Sequence, residues 1–361
     1  MVERRASSPV QAEQSSAAAA KIASPRRKRP TLTAFYQTPQ PRQRILALLC
    51  VVTRPNLESK IQFLPPCRRK MPKKKTAART PATTLRIEEL HSINQFIELV
   101  QEGITRAGGA LWYRGCCDQS HGLVPTLYRH PTTLDAPKLI ALETKILSRF
   151  KQRSVPYQLR PLTSSWEHLF FMQHFGIPTR LLDWTENPYV GLYFALCGKP
   201  DRYTAGTPVY DSDAALWMLD PVAWNRKALE DIAWSGDVLT PGDDAPLSGY
   251  EPFQLPTMIR NYPVAIYGTH NSYRIVAQRG VFMIFGKSLL SMEETYRNLK
   301  FPADTLLKIT IPSTKIGSLM KELFDVGITD SVVFPDLDGL AKEIKRNFRV
   351  QNLAYVHNPT T

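Results

Sequence analysis

Four arginines sit in short stretches whose neighbours are mostly apolar: Arg114 in Trp112-Tyr113-Arg114-Gly115, Arg129 in Leu127-Tyr128-Arg129, Arg180 in Thr179-Arg180-Leu181-Leu182-Asp183-Trp184-Thr185, and Arg274 in Tyr273-Arg274-Ile275-Val276. A guanidinium presents a rigid fork of donors that fits phosphate or carboxylate, so several of them converging would form a site for an anion. The third stretch is the densest, with an arginine, a carboxylate and an indole in seven residues. Gln173 and His174 precede it, and Gln278 follows Arg274 closely. Trp184 and Tyr113 offer rings that could stack on a base or a nicotinamide. The candidate ligand-binding residues are therefore Arg114, Arg129, Gln173, His174, Arg180, Asp183, Trp184, Arg274 and Gln278. Arg114, Arg180, Asp183 and Gln278 are expected to meet at one cleft; no catalytic residue is singled out.

Each of these residues also has a purely structural explanation. Arg180 can pair with Asp183, Asp336 or Asp338 as an internal staple. His174, among apolar neighbours, can be a satisfied core residue, and Trp184 and Tyr113 can be core aromatics. Asp183 and Glu186 fit a turn and a helix cap as readily as an acid pair. The five cysteines, Cys50, Cys67, Cys116, Cys117 and Cys197, are odd in number and show no CxxC spacing and no histidine at ligand intervals, so no metal is expected. Cys116 and Cys117 read as packing or incidental thiols, with no basic partner identifiable from the sequence.

The elements that would position these residues read as α+β. Ser164 with Glu167 forms a capping box for a helix that ends at Gly176, and Asn187-Pro188 opens a second apolar helix. Residues Thr179 to Thr185 then read as the connection between the two, lying beside a core where polar groups must be paired or functional. Other helices are expected at Ile87 to Glu102, Ala136 to Arg153, from Asn271, and near Thr314 to Val326 and Leu340 to Arg346. Strands are expected at Ala110 to Arg114, Ala214 to Leu219, Pro263 to Tyr267, Val281 to Phe285 and Leu306 to Ile311. Arg114 would end its strand, with Gly115 letting the backbone turn. Residues 220 to 256, rich in Pro and Gly, read as a variable loop region.

Charge divides the chain unevenly. Residues 1 to 84 hold 18 Lys or Arg and 3 Asp or Glu, a balance of +15, and the remaining residues carry −1 of the total +14. That first segment contains Arg26-Arg27-Lys28-Arg29, Arg68-Arg69-Lys70 and Lys73-Lys74-Lys75 and is rich in Ala, Ser, Pro and Gln. It is expected to be a basic, largely disordered tail, since it cannot bury enough apolar surface to offset its chain entropy. Its uses would be a nucleic-acid or acidic-surface contact, or a transit peptide, beside the plainer reading of a solvated extension. The run Ile45 to Val52 is far shorter than the roughly 20 residues of a membrane helix. The expected layout is one compact domain over 85–350, with a mixed or antiparallel sheet flanked by helices, a C-terminal tail at 351–361, and a cytoplasmic location without membrane contact.

Four stretches together resemble a known family. Tyr113-Arg114-Gly115 with the following Leu123 to Arg129, Gln173 to Asn187 (QHFGIPTRLLDWTEN), Tyr273 to Phe282 (with AQRGVF at its end) and Val333 to Ala341 (with FPDLDGLA) are similar to the motifs of the FRG domain, named for a Phe-Arg-Gly motif near its start. The resemblance implies one fold spanning these motifs and assigns no activity by itself. Recognition of an anionic or nucleotide-like ligand through an arginine-lined cleft is the expected function. Tyr113 to Gly115 is also similar in outline to the first motif of ADP-ribosyltransferases, where the arginine holds the phosphates of NAD, so that likeness implies NAD as a ligand; no other cofactor is expected. Those enzymes place a glutamate late in the fold, often as Glu-x-Glu; this chain lacks the pair, and Gln278 or Glu293 would have to substitute. Whether the protein is an enzyme or a binding module, the latter with nucleic acid held by residues 1–84, stays open at this point.

Overall fold

The stretch read as a connection between two helices is a central strand. In the computed structural model the described residues are 84–350, apart from 133, 134, 159, 205, 206, 243, 271 and 349. The chain divides into two units, residues 1–75 and 76–361, and every described residue falls in the second. The basic tail expected over 1–84, with its clusters and the run Ile45 to Val52, lies outside the described residues except for Thr84, as does 351–361.

The chain order begins with strand β1 (Arg86–Glu89), helix α1 (Ile93–Ala107) and strand β2 (Trp112–Cys116). Helices α2 (Ala136–Ser154) and α3 (Ser165–His174) lead to β3 (Leu181–Thr185) and α4 (Pro188–Leu196). The short strands β4 (Arg202–Thr204) and β5 (Thr207–Val209) pair with each other, and are followed by β6 (Ala214–Leu219), α5 (Pro221–Ala228) and β7 (Val264–Ile266). Then come α6 (Tyr273–Gln278), β8 (Gly280–Ile284), α7 (Met292–Leu299), β9 (Leu306–Ile311), α8 (Ser313–Asp325), α9 (Asp330–Val333) and α10 (Leu337–Asn347). The main sheet has the order β1-β9-β6-β2-β3-β8-β7, with β1 parallel to β9 and every other pair antiparallel, so the fold is α+β with a mixed sheet.

Side-chain alternation divides the core. Ala215, Trp217 and Leu219 of β6 join one apolar cluster with Trp112, while Ala214, Leu216 and Met218 join another with Tyr113, Phe96 and Ile309. All six residues of β6 are buried, which explains its unbroken apolar run. Helix starts follow local chemistry. Ser164 Oγ accepts from Glu167 N at 3.0 Å, and the Glu167 carboxylate collects the N–H groups of Thr163 at 2.6 Å and Ser164 at 3.2 Å. Those bonds, the one from Thr163 first, pull the Glu167 carboxyl down to about 2. Asn187 Oδ1 accepts from Tyr189 N at 3.0 Å, with Pro188 in the first turn of α4.

Several expectations are corrected. Thr179 to Thr185 pairs over five residues with β8, from Leu181 opposite Ile284 to Thr185 opposite Gly280, so tertiary pairing overrides its loop-like composition. The helix expected from Ile87 is strand β1 up to Glu89, and the helix begins after Ser92, whose Oγ accepts from Gln95 N at 3.2 Å. Arg114 sits mid-strand rather than at a strand end. Residues 220 to 256 hold α5, capped by Asp220, whose Oδ1 accepts from Val222 N at 3.1 Å and Ala223 N at 2.9 Å. Trp224 pins this helix by donating to the Pro263 carbonyl at 2.8 Å and stacking on Phe301 at 4.2 Å. Asn271 lies outside the described residues, and α6 starts at Tyr273 behind the cap Ser272. No helix among the described residues is long and apolar enough to cross a membrane.

Gly115 has a different use from the turn expected of it. A Cβ built there would lie 2.2 Å from both Ala195 N and Gly191 O, and one at Gly191 would lie 2.6 Å from the Tyr113 Cβ. The backbones of α4 and β2 therefore touch with no side chain between them. Gly115→Ala should cost about 3 kcal/mol or more, because neither backbone can yield. Gly109→Ala, where a Cβ meets nothing within 4 Å, is the control and should be near neutral. Urea midpoints of the two variants check this; equal midpoints would remove the close contact as a constraint.

Candidate functional site

The sheet is almost split between β2 and β3. Those strands share a single paired position, Tyr113 opposite Thr185, whereas β2 pairs with β6 over five positions and β3 with β8 over five. At the two ends of β3, Phe285 N donates to Arg180 O at 3.1 Å and Glu186 N donates to Arg279 O at 3.2 Å. Since backbone groups alternate sides along a strand, the N–H and C=O of Asp183 point the other way, toward β2. No strand pairing meets them there; the guanidinium of Arg114 donates to the Asp183 carbonyl instead. A side chain thus takes the place of a ladder bond, and a cleft opens along the seam.

This cleft has a volume of about 270 Å³ and draws on six elements. Arg114 comes from β2, Gln173 and His174 from the end of α3, Asp183 and Trp184 from β3, and Arg274 and Gln278 from α6; Phe194 of α4 and Phe282 of β8 add aromatic wall. Seven of the nine candidate residues line it, and the structure leaves Arg129 and Arg180 out.

A chain of hydrogen bonds orients Asp183. Leu181 N donates to Thr179 Oγ1 at 3.0 Å, Thr179 donates onward to Gln173 Oε1 at 2.5 Å, and Gln173 Nε2 donates to Asp183 Oδ2 at 2.8 Å. The backbone N–H occupies a lone pair of the Thr179 hydroxyl, which fixes its proton on the glutamine oxygen and turns the amide nitrogen toward Asp183. Arg114 lies 4.0 Å from the same carboxylate oxygen. Asp183 is therefore placed by the site rather than used as a cap; Asn187 takes that part, and Glu186 lies outside the cleft lining.

Gln278 Nε2 donates to the Val333 carbonyl at 3.1 Å, and the Gln278 backbone carbonyl accepts from Thr185 Oγ1 at 2.5 Å. Arg274 rests its guanidinium 4.5 Å from the centre of the Phe334 ring. It is half-buried, and it makes no ion pair with a carboxylate among the described residues. His174 is held below the ordinary histidine value of 6.5, first by burial and then by the Arg274 charge, against the pull of Asp183 and Asp336. Trp184 is buried, and its indole N–H finds no acceptor among the described residues. Glu293 binds Leu123 N at 3.0 and 3.1 Å and is not among the cleft residues, so the late acid considered for a transferase does not come from there. No group of three or more His, Cys, Asp or Glu among the described residues is placed to hold a metal.

Arg180 is wholly buried and fully engaged. Its Nε lies 2.6 Å from Glu143 Oε2, its backbone N donates to Glu143 Oε1 at 2.8 Å, and its remaining nitrogens donate to the carbonyls of Phe285 at 3.2 Å and Tyr250 at 2.9 Å. It is a staple, as one of the two readings held, but its partner is Glu143 of α2 rather than Asp183, Asp336 or Asp338. Asp336 instead caps α10, accepting from Gly339 N at 2.8 Å. Arg129 binds the Val124 carbonyl through two nitrogens, at 2.9 and 2.6 Å, and desolvation followed by the neighbouring Arg114 charge lowers its pKa. The sequence held a signal for Glu143: it falls on the buried stripe of α2 with Leu139, Ile140 and Leu147, where a carboxylate requires a buried cation.

Residues 109–203 match the family model of the FRG domain. That span holds Arg114, Gln173, His174, Asp183 and Trp184, while Arg274, Gln278 and Phe334 lie beyond it. No curated protein and no solved structure matches the chain.

Arg180→Ala should destabilise the protein by about 3 to 5 kcal/mol, because Glu143 would be left buried and unpaired. The double variant Arg180→Met with Glu143→Leu should recover much of that loss, and denaturant titration distinguishes the two; a double variant no better than the single would locate the cost elsewhere. A second expectation follows from His174. With its folded value below its unfolded one, the unfolded chain binds more protons just under pH 6.5, so stability rises as pH climbs through that window and falls as pH drops. His174→Gln should flatten this part of the curve when urea midpoints are followed between about pH 5 and 8, and an unchanged slope would exclude His174 as its source.

Proposed function

We propose, for a chain whose residues 109–203 are an FRG domain, that the seam cleft binds a nucleotide-like anion. Arg114 and Arg274 take the phosphate, and the rings of Trp184, Phe194 and Phe282 take the base or sugar. The observation that carries this reading is Arg274: a half-buried guanidinium that faces a cavity, stands on an aromatic ring and lacks a carboxylate partner among the described residues. Desolvating a cation without a counter-ion is unfavourable, and an anionic ligand supplies the missing partner. Aromatic walls beside cationic donors suit a ligand with a flat ring and a phosphate.

A second reading, transfer of ADP-ribose from a nicotinamide dinucleotide, is favoured by Asp183 alone. Its carboxylate reaches the cleft, 59% exposed, and is oriented by Gln173 and Arg114, so it could face the positive charge that grows on the ribose as nicotinamide leaves. The +15 balance of residues 1–84 supports a separate, salt-sensitive contact with nucleic acid.

Thermal unfolding with AMP, ADP-ribose, NAD and adenosine tests the cleft. The phosphate-bearing compounds should stabilise the protein by about 2.7 kcal/mol when present at about a hundred times their Kd, and adenosine should do so far less. Arg114→Ala and Arg274→Ala should each abolish the shift; the Arg274 variant should melt close to the parent when unliganded, and the Arg114 variant lower, because the Asp183 carbonyl loses its donor. Shifts that persist in both variants would place binding elsewhere. If NAD is turned over, nicotinamide release should stop in Asp183→Asn while NAD binding survives.

A further inference from the structure

The Phe334 ring carries two cations. The Arg274 guanidinium lies 4.5 Å from its centre and the Lys342 ammonium, from α10, lies 4.9 Å from it. Like charges repel, so two of them on one ring need a reason. Lys342 has a local alternative: Asp338 stands one helical turn before it at the spacing that favours an ion pair. Yet Lys342 makes no ion pair with Asp338 and extends over the ring instead. The neighbouring Arg346 behaves differently, binding the buried Asp330 at 3.0 Å. Asp336 is occupied in capping α10, and Glu343 accepts from Thr329 Oγ1 and Ser331 N.

Phe334 is also joined to the cleft. Its ring meets Phe194, a cleft residue, at 5.9 Å, and Val333 beside it accepts from Gln278. Arg114 and Arg274 line the cavity, and Lys342 contacts the ring on which Arg274 rests. The ring attracts each cation through its quadrupole and holds both in place without neutralising either. An anion with two adjacent charged groups would touch Arg274 with one and Lys342 with the other.

We propose that the cleft selects a diphosphate-bearing nucleotide over a monophosphate. The inner phosphate contacts Arg114 and Arg274, and the outer one bridges Arg274 and Lys342 over Phe334. This rests on the nucleotide reading of the cleft. Lys342 then sets specificity for the second phosphate and leaves the first untouched.

Isothermal titration of the full chain with AMP, ADP, ADP-ribose and inorganic pyrophosphate provides the test. ADP and ADP-ribose should bind about tenfold tighter than AMP, as one further charge-assisted contact allows. Lys342→Ala should remove that preference and keep the AMP affinity, and Lys342→Arg should retain the preference. Equal affinities for AMP and ADP in the parent protein, both lost in Arg274→Ala, would overturn the diphosphate subsite and leave the cleft reading standing. A Lys342→Ala variant that weakens AMP and ADP alike would also overturn it, since the lysine would then act on the whole site. Pyrophosphate binding as tightly as ADP would overturn the nucleotide part in favour of a free diphosphate. No binding of any of these would overturn both readings together.

Discussion

The backbone contact between α4 and β2 is the constraint around which the sheet is arranged. Gly115 and Gly191 bring the two backbones together with no side chain between them, and Gly115 is the residue that a continued ladder would set opposite Asp183. The strand is thus committed to β6 on one edge and pressed by the helix from its face, while its other edge pairs with β3 at one position only. An unpaired backbone edge inside a protein must find other partners. Here Arg114 meets the Asp183 carbonyl, and the gap it spans becomes the cleft. The Tyr-Arg-Gly motif is therefore one device in two parts, the glycine admitting the helix and the arginine closing the seam that results.

Two arginines near the same strand meet opposite fates, and the difference is geometric. Arg180 and Asp183 are an odd number of residues apart along extended chain, so their side chains leave on opposite sides. Arg180 enters a buried space where Glu143 supplies charge and two carbonyls accept its remaining donors, so that burial, which works against its charge, is outweighed by the carboxylate. Arg274 lies in the cleft wall, with a ring beneath it and no carboxylate in ion-pair contact among the described residues. A satisfied buried pair holds structure; a half-buried cation left over is free to hold something else. Both are arginines of family-like stretches, and only the surroundings separate their fates.

That distinction marks how far the sequence could be read. Helix ends were legible because capping is local: Ser164 with Glu167, Asn187 with Pro188 and Gly176 each act within a few residues. Strands β6 and β9 were legible because burial on both faces, or alternation, shows in composition. Strand β3 was not, since Arg180 just before it and Asp183 at its middle resemble a loop and its partners lie about a hundred residues away on β8. The edge strand β1 failed for a related reason, the spacing of Ile87, Leu90 and Ile93 mimicking a helix while pairing with β9 decided otherwise. Seven candidate residues did reach one cavity because polar side chains among apolar neighbours must be satisfied somewhere. Which of them are satisfied by the protein itself depends on residues such as Glu143 and Thr179, whose positions only the fold determines.

The size of the cleft adds a last constraint to its proposed use. At about 270 Å³ it is near the lower end of ligand pockets, enough for a ring or a sugar phosphate and too small to enclose a whole dinucleotide. A larger ligand would have to continue outward, and the proposed path runs past Phe334 to Lys342. The walls on that path come from α6 and from the segment joining α9 to α10, tied to each other by the bond from Gln278 to Val333. On this reading the domain holds the inner part of its ligand on the sheet and the outer part on α6 and α10, with α6 bonded through Gln278 to Val333 of α9, the helix that precedes α10. The affinity of the outer part then depends on how those helices are braced, which gives the buried Asp330, bound by both Tyr193 at 2.5 Å and Arg346 at 3.0 Å, an indirect part in recognition.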